Sequence, residues 1–220
     1  VKHFLRNNGW LLLLYACALS TALYFIFNYP KTTIHLYLNQ FVKGGWLDDL
    51  FYFITYLGDG RLAGLALILI LFYNIRLGIA VAGSFLTASL FSNSLKYLFF
   101  DDVNRPFFIF QFIQVEKLKY VEGVDLHIHN SFPSGHATQA FAILMLLAFV
   151  SSKNGMKLLF LALALLTAYS RVYLSQHWLQ DVTAGSFIGT LFSCLWYYLI
   201  ITRDKLPTLN KSSLALLYKK

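Results

Sequence analysis

"NSFPSGHATQAFAILMLLAFVSS", residues 130–152, joins two kinds of sequence that seldom touch. The second half is an apolar run suited to a bilayer, and the first half places Pro133, Ser134, Gly135 and His136 at its doorway. The apolar run decides the fold class, because a spanning helix needs about 20 mostly apolar residues. Residues 131–152 qualify, as do residues 9–29, 77–95 and 182–202. Two shorter runs, 62–75 and 158–170, become long enough when polar residues occupy their ends. The expectation is an all-α polytopic membrane protein with six transmembrane helices, five being the alternative count. A single domain over residues 1–220 suffices, since no repeat, low-complexity tract or Pro/Ser-rich linker divides the chain.

Composition points the same way. Of 220 residues, 58% are hydrophobic and 13% charged, and the mean hydropathy is +0.59, well outside the range of soluble domains of this size. The net charge of +8 is better read as a record of membrane orientation than as a nucleic-acid patch, so no nucleic-acid partner is expected. Cys17 and Cys194 fall inside apolar runs, where cysteine behaves as a small hydrophobe, and neither a disulfide framework nor a metal cluster is expected. Residues 1–29 start like a signal peptide. Their charge-free stretch from Arg6 to Lys31 nevertheless exceeds the roughly 7–15 residues of an h-region, and they read as a retained first span. Between the first two spans, "GGWLDDLFYFITYLGDG" (residues 44–60), with Trp46 and the aromatic run Phe51 to Phe53, predicts an interfacial segment.

Six spans put both termini on one side. That side carries Lys2, Arg6, Arg76, Lys153, Lys157, Arg203, Lys205, Lys211, Lys219 and Lys220. The other carries Lys31, Lys43, Arg61, Lys117 and Lys119, together with Lys96, Arg105 and Arg171, which belong to motifs. The excess predicts cytoplasmic termini. The same parity brings three polar clusters to the opposite face: "KYLFFDDVNRP" (96–106), "PSGH" (133–136) and "SRVYLSQHWLQD" (170–181). A random scatter of polar residues has no reason to converge in this way.

Each cluster offers something to an anion. A helix beginning near Ser134 presents the N–H groups of Gly135, His136 and Ala137 at its positive end, with Ser134 as cap. Gly135 lets a ligand approach the backbone closely. Lys96, Arg105 and Arg171 supply cations, and the arginine fork matches phosphate oxygens. His177 and Asp181, four apart, share a helix face, so the carboxylate can orient the imidazole. His177 is then a candidate nucleophile, and His136, from a separate helix, a candidate proton donor. The implied ligand is a phosphate.

At these residues the sequence resembles the type 2 phosphatidic-acid phosphatase family of integral-membrane lipid phosphatases, whose signature is K-x6-RP, PSGH and SR-x5-H-x3-D. Residues 133–136 reproduce the second motif and residues 170–181 the third. The first departs from the pattern, with eight residues between Lys96 and Arg105-Pro106. Either the extra pair bulges outward and Lys96 keeps its place, or Lys96 snorkels from a helix end and Arg105 alone meets phosphate. Asp101 and Asp102 are also available to engage Lys96.

The resemblance implies that His177 attacks phosphorus to form a phosphohistidine, that Asp181 orients it, and that His136 protonates the leaving group and then activates water. Lys96, Arg105, Ser134, Gly135 and Arg171 would hold the phosphoryl oxygens. No cofactor or metal is called for. The substrate would be a membrane lipid phosphate or diphosphate: undecaprenyl diphosphate, phosphatidylglycerol phosphate, phosphatidic acid or the lipid A 1-phosphate. It would be met at the outer face of a cytoplasmic membrane. Alternatives are transfer of the phosphoryl group to a lipid hydroxyl, and a catalytically silent lipid-binding protein of the same fold. Oligomeric state is left open.

Three features stand outside the motifs. His127 and His129 form an H-x-H pair, read as loop residues rather than metal ligands. The aromatic stretch "RPFFIFQF" (105–112) either lines a slot for lipid chains or rests among headgroups. The basic tail, residues 203–220, is expected to lie against anionic headgroups.

Overall fold

The computed structural model describes residues 2–112 and 118–202. All regular elements among the described residues are helical. They are α1 (Lys2–Asn28), α2 (Lys31–Asn39), α3 (Trp46–Ile54), α4 (Gly60–Tyr73), α5 (Ile75–Phe99), α6 (Pro106–Phe112), α7 (Gly135–Val150), α8 (Asn154–Tyr173) and α9 (Leu179–Trp196). A 3-10 turn, Thr55–Gly58, follows α3, and a π-helical turn, Tyr197–Ile201, extends α9. The basic tail expected against headgroups lies outside the described residues.

Side chains set several helix starts. Asp59 accepts from Arg61 N at 2.8 Å and Asn74 from Leu77 N at 2.9 Å, capping α4 and α5. At α9 the Asp181 carboxylate reaches back to Trp178 N at 2.9 Å.

Helix α7 runs through the middle of the bundle, against α5, α8 and α9. Ala137, Thr138, Ala140 to Leu146, Ala148 and Phe149 are all buried, so it has no lipid-facing stripe, as its apolar residues on every face require. Its seam with α9 is built from small residues one turn apart. A Cβ on Gly185 would stand 2.6 Å from Ser134 O, and one on Gly189 2.7 Å from Phe141 Cβ. Below them Ser193 Oγ donates to Phe141 O at 3.0 Å. On α5, Ser84 Oγ donates to Ala142 O at 2.8 Å. Small residues let spanning helices approach to backbone contact, and polar ones then bond across.

Among the described residues four helices are long and apolar enough to cross a membrane: Lys2–Asn28, Ile75–Phe99, Asn154–Tyr173 and Leu179–Ile201. Trp46–Gly58 and Gly60–Tyr73 form a pair bent by 58°, which counts as a fifth when taken as one span. Helix α7 has 16 residues, about 24 Å at 1.5 Å per residue, and falls short of the usual length. The chain is therefore an all-helical, multi-pass membrane protein with four or five spans by length and composition, where the sequence suggested six.

The segment expected to anchor at the interface does more than anchor. Trp46 and Phe53 are exposed, as an anchor requires, but Phe51 is buried against Tyr169 and Tyr173 of α8, with centroids 5.1 and 4.4 Å apart. The hairpin from α3 to α4 is docked on the bundle. Cys17 is exposed on α1 and Cys194 half-buried, and both are free.

The helix ends sort into two faces. At one, Lys157 Nζ donates to Asn7 O at 2.7 Å and to Asn8 Oδ1 at 2.6 Å, Arg76 holds Ile200 O at 2.9 Å, and Phe4 packs on Phe149 and Tyr197. The start of α1 and the end of α9 meet there. The three motifs gather at the other face.

Candidate active site

The start of α7 is tied directly to α9: Ser134 N donates to Asp181 O at 3.0 Å. Ser134 Oγ caps α7 by accepting from Ala137 N at 3.5 Å, a long bond. Gly135 faces open space, and a Cβ built on it meets nothing within 4 Å. His136, the next residue, is half-buried.

His177 lies in the short turn between α8 and α9. Its backbone N–H and that of Gln176 both donate to Arg171 O, at 3.1 and 2.9 Å. Its Nδ1 lies 3.4 Å from Asp181 Oδ2, so the expected pairing is present but long, and it is not made across a shared helix face as the spacing suggested, because His177 precedes the first residue of α9. The cause of the length is visible. Oδ2 also accepts from Ser131 Oγ at 2.5 Å and from Trp178 N at 2.9 Å, whereas the buried Oδ1 has no partner.

The cations differ in their surroundings. Arg105 is held by neutral acceptors alone: His129 O at 2.8 Å, Gln176 O at 3.2 Å, Gln176 Oε1 at 3.1 Å and Asn130 O at 3.4 Å. Arg171, 8% exposed, donates from Nη1 to Thr55 Oγ1 at 2.8 Å, and its buried Nε has no partner. The His177–Asp181 pair is the only acid–base contact within 4 Å among the described residues, so no described carboxylate pairs directly with either guanidinium. Lys96 is buried in the last turn of α5. The two extra residues of its motif are taken up in the loop after α5, where Asp101 and Asp102 are exposed. Lys96 is thus enclosed by protein at the end of α5 and does not snorkel.

The electrostatics show how close the groups are. Burial drives the His177 imidazole well below its usual range, and Arg105, Arg171, Lys96 and His136 push the same way. All the expected cations thus reach one ring, and that ring is neutral. Burial also lowers Arg105. His127, in the loop before the PSGH motif, is lowered by burial and then by Arg105 and Arg171.

Among the described residues no three His, Cys, Asp or Glu side chains form a metal-binding group. His129 bonds Asn104 Oδ1 at 2.8 Å, and His127 is exposed. In the aromatic stretch, Phe110 is buried beside Trp178 and Phe112 is exposed, so the two expectations divide along one short helix.

Several residues that support the site went unread in the sequence. Thr55 holds Arg171. A Cβ on Gly58 would come within 2.6 Å of His136 O and 2.9 Å of its Cβ, so the 3-10 turn presses on the first turn of α7. Ser131 bonds Asp181. Thr55, Gly58 and Ser131 lie in no pattern that would flag them; Gly185 and Gly189, in contrast, form a visible G-x-x-x-G.

A helical membrane bundle with buried cations and a histidine–carboxylate pair gathered at one end is the class of protein this fold and site define. Residues 77–205 match the sequence profile of the PAP2 superfamily, and the chain belongs to that superfamily. It is 34% identical over 132 residues to an undecaprenyl-diphosphatase of Sulfolobus acidocaldarius; the match covers 59% of this chain and 58% of that relative, little more than half its length. Two solved structures share the fold. Aquifex aeolicus LpxE superposes with a TM-score of 0.64 at 24% identity, over 76% of this chain and 93% of that one. A PAP2-type phosphatidylglycerolphosphate phosphatase of Bacillus subtilis gives 0.62 at 20% identity, over 90% and 98%.

Proposed function

We propose that this protein is a lipid phosphatase that hydrolyses a lipid phosphate monoester or diphosphate through a phosphohistidine. The observation that carries the reading is the buried Arg171 guanidinium, with an unpaired Nε and no carboxylate partner among the described residues, within electrostatic reach of a neutral His177. A buried charge of this kind calls for an anionic partner. Arg105, Lys96 and the N–H groups at the start of α7 would share the phosphoryl oxygens.

In the proposed reaction His177 Nε2 attacks phosphorus while the bond to the leaving oxygen breaks. His136 delivers a proton to that oxygen. Asp181 holds Nδ1–H and stabilises the charge that develops on the imidazole. Water then attacks the phosphohistidine, His136 takes its proton, and inorganic phosphate leaves with His177 neutral again. Positioning and charge stabilisation are most of what phosphoryl transfer asks of an enzyme. The phosphate charge is met by protein cations and N–H donors, so a chelator is expected to leave turnover unchanged and vanadate to inhibit it.

Helix α7 completes six crossings in this reading, its short length tolerated because neighbouring helices, not lipid, surround it. Both termini then face the cytoplasm, and the site opens at the outer face of the cytoplasmic membrane. One domain covers the chain. Undecaprenyl diphosphate, phosphatidylglycerol phosphate, phosphatidic acid and lipid A 1-phosphate are the candidate substrates.

The test is a side-by-side phosphate-release assay on those four lipids, with His177→Ala and Asp181→Asn alongside the parent and a trap for acid-labile phosphoprotein. Release that depends on His177, with phosphate free and not on a lipid acceptor, supports the reading. Undiminished release from His177→Ala would sink it.

A further inference from the structure

We propose that His35, on a helix outside all three motifs, is a positioning residue that holds the His177 turn in its working shape through the Ser175 hydroxyl. The proposal rests on the phosphoryl-transfer reading above and extends it to α2, a part of the chain that no motif touches.

Ser175 is the key to the turn. Its φ is 54°, in the left-handed region that L-residues other than glycine seldom enter. The residues that follow carry the chemistry. Gln176 accepts from Arg105, and His177 faces Asp181. Both directions depend on the backbone angle at Ser175, and a relaxed Ser175 would swing the imidazole out of line.

One side-chain bond holds that angle. Ser175 is 1% exposed, and its Oγ lies 3.1 Å from His35 Nε2. His35 is equally buried. Its ring stacks on Phe110 at 5.9 Å and meets Trp178 edge-on at 5.4 Å. Its Nδ1 is buried without a partner, an unfavourable arrangement for a polar atom. Packing alone would be served better by an apolar side chain, so the hydroxyl at Nε2 is what an imidazole gains there. Burial lowers the His35 pKa to about 4, so the ring stays neutral and adds no charge to a cation-rich pocket.

The test uses the full chain in detergent micelles, with phosphate release from undecaprenyl diphosphate and from phosphatidic acid, vanadate as the anion probe, and thermal midpoints to confirm folding. His35→Phe keeps the aromatic packing and removes the bond. It should lower kcat about tenfold or more, with vanadate inhibition changed by less than about threefold, because Arg171 keeps Thr55 and Arg105 keeps the carbonyls of His129 and Asn130 when its bonds to Gln176 shift. His35→Gln, whose amide can reach the same hydroxyl, should recover most of the loss.

The decisive comparison is in a Ser175→Gly chain, where glycine takes the positive φ unaided. There His35→Phe should cost less than about threefold. Equal losses in the two backgrounds, an inactive Ser175→Gly chain, a His35→Phe protein as fast as the parent, or one that has also lost vanadate affinity would each overturn the proposal. His177→Ala separates the levels. If it turns over normally, the phosphoryl-transfer reading fails; if it is silent while His35→Phe matches the parent, only the role of His35 fails.

Discussion

Gly135→Ala separates binding from folding. A Cβ at that position meets nothing within 4 Å, and replacing a flexible glycine near a helix start stabilises by up to about 1 kcal/mol when the backbone suits both residues. The thermal midpoint should therefore hold or rise. Turnover should not. The open space is where a phosphoryl oxygen would come to the N–H groups of residues 135–137, and a methyl group there holds the oxygen away from them. Losing one such donor costs about 10²–10³ in kcat, some 2.7–4 kcal/mol of transition-state stabilisation. The measurement is phosphate release and vanadate inhibition on protein whose melting curve matches the parent. Full activity in a well-folded Gly135→Ala protein would refute the placing of the anion at this helix start.

Gly185→Ala should behave in the opposite way. Its Cβ would lie 2.6 Å from Ser134 O and 3.1 Å from Ala137 Cβ, so the α7–α9 seam must open, and the melting temperature and turnover should fall together, with about 1–3 kcal/mol of stability lost. Thr55→Val leaves an Arg171 N–H buried and unpaired. Vanadate inhibition should weaken about tenfold, Thr55→Ser should restore it, and an unchanged inhibition constant would count against Arg171 as a phosphate ligand. Stability should also depend on pH through His35. Its pKa is about 4 when folded against 6.5 as the ordinary value, so the unfolded chain takes up the proton first as pH falls through 6.5. At pH 5 this residue should then contribute about 2 kcal/mol less stability than at pH 8. His177, lowered in the same direction, adds to the trend. Denaturation midpoints of the parent and His35→Gln across this range should converge in slope if His177 dominates and differ if His35 does.

The motif residues were legible because their chemistry is written at short spacing next to apolar runs. Helix parity then brought Lys96, Arg105, Ser134, Arg171, His177 and Asp181 to one end of the bundle, which is where the structure has them. The spans were legible as apolar stretches but not in their ends. Helix α8 begins at Asn154, ahead of the apolar run, because Lys157 finds Asn7 O and Asn8 Oδ1 to bond and so can lie inside a helix. The α3–α4 hairpin was not legible. Its aromatic residues suit headgroups and a protein neighbour equally, and only the docking of Phe51 on α8 brings Thr55 and Gly58 to the site. His35 offers no pattern at all, being one histidine in a short mixed helix. Burial gives it meaning.

The Arg171 side chain, enclosed with no carboxylate within 4 Å among the described residues, has a consequence for ligand entry and exit. The bundle keeps several like charges crowded together against their mutual repulsion, and any small oxyanion that enters relieves it. An arriving phosphate would thus tighten the protein as well as occupy it. Its departure re-creates the repulsion, so under the proposed phosphatase reading the release of inorganic phosphate would be opposed by the same charges that favour its entry.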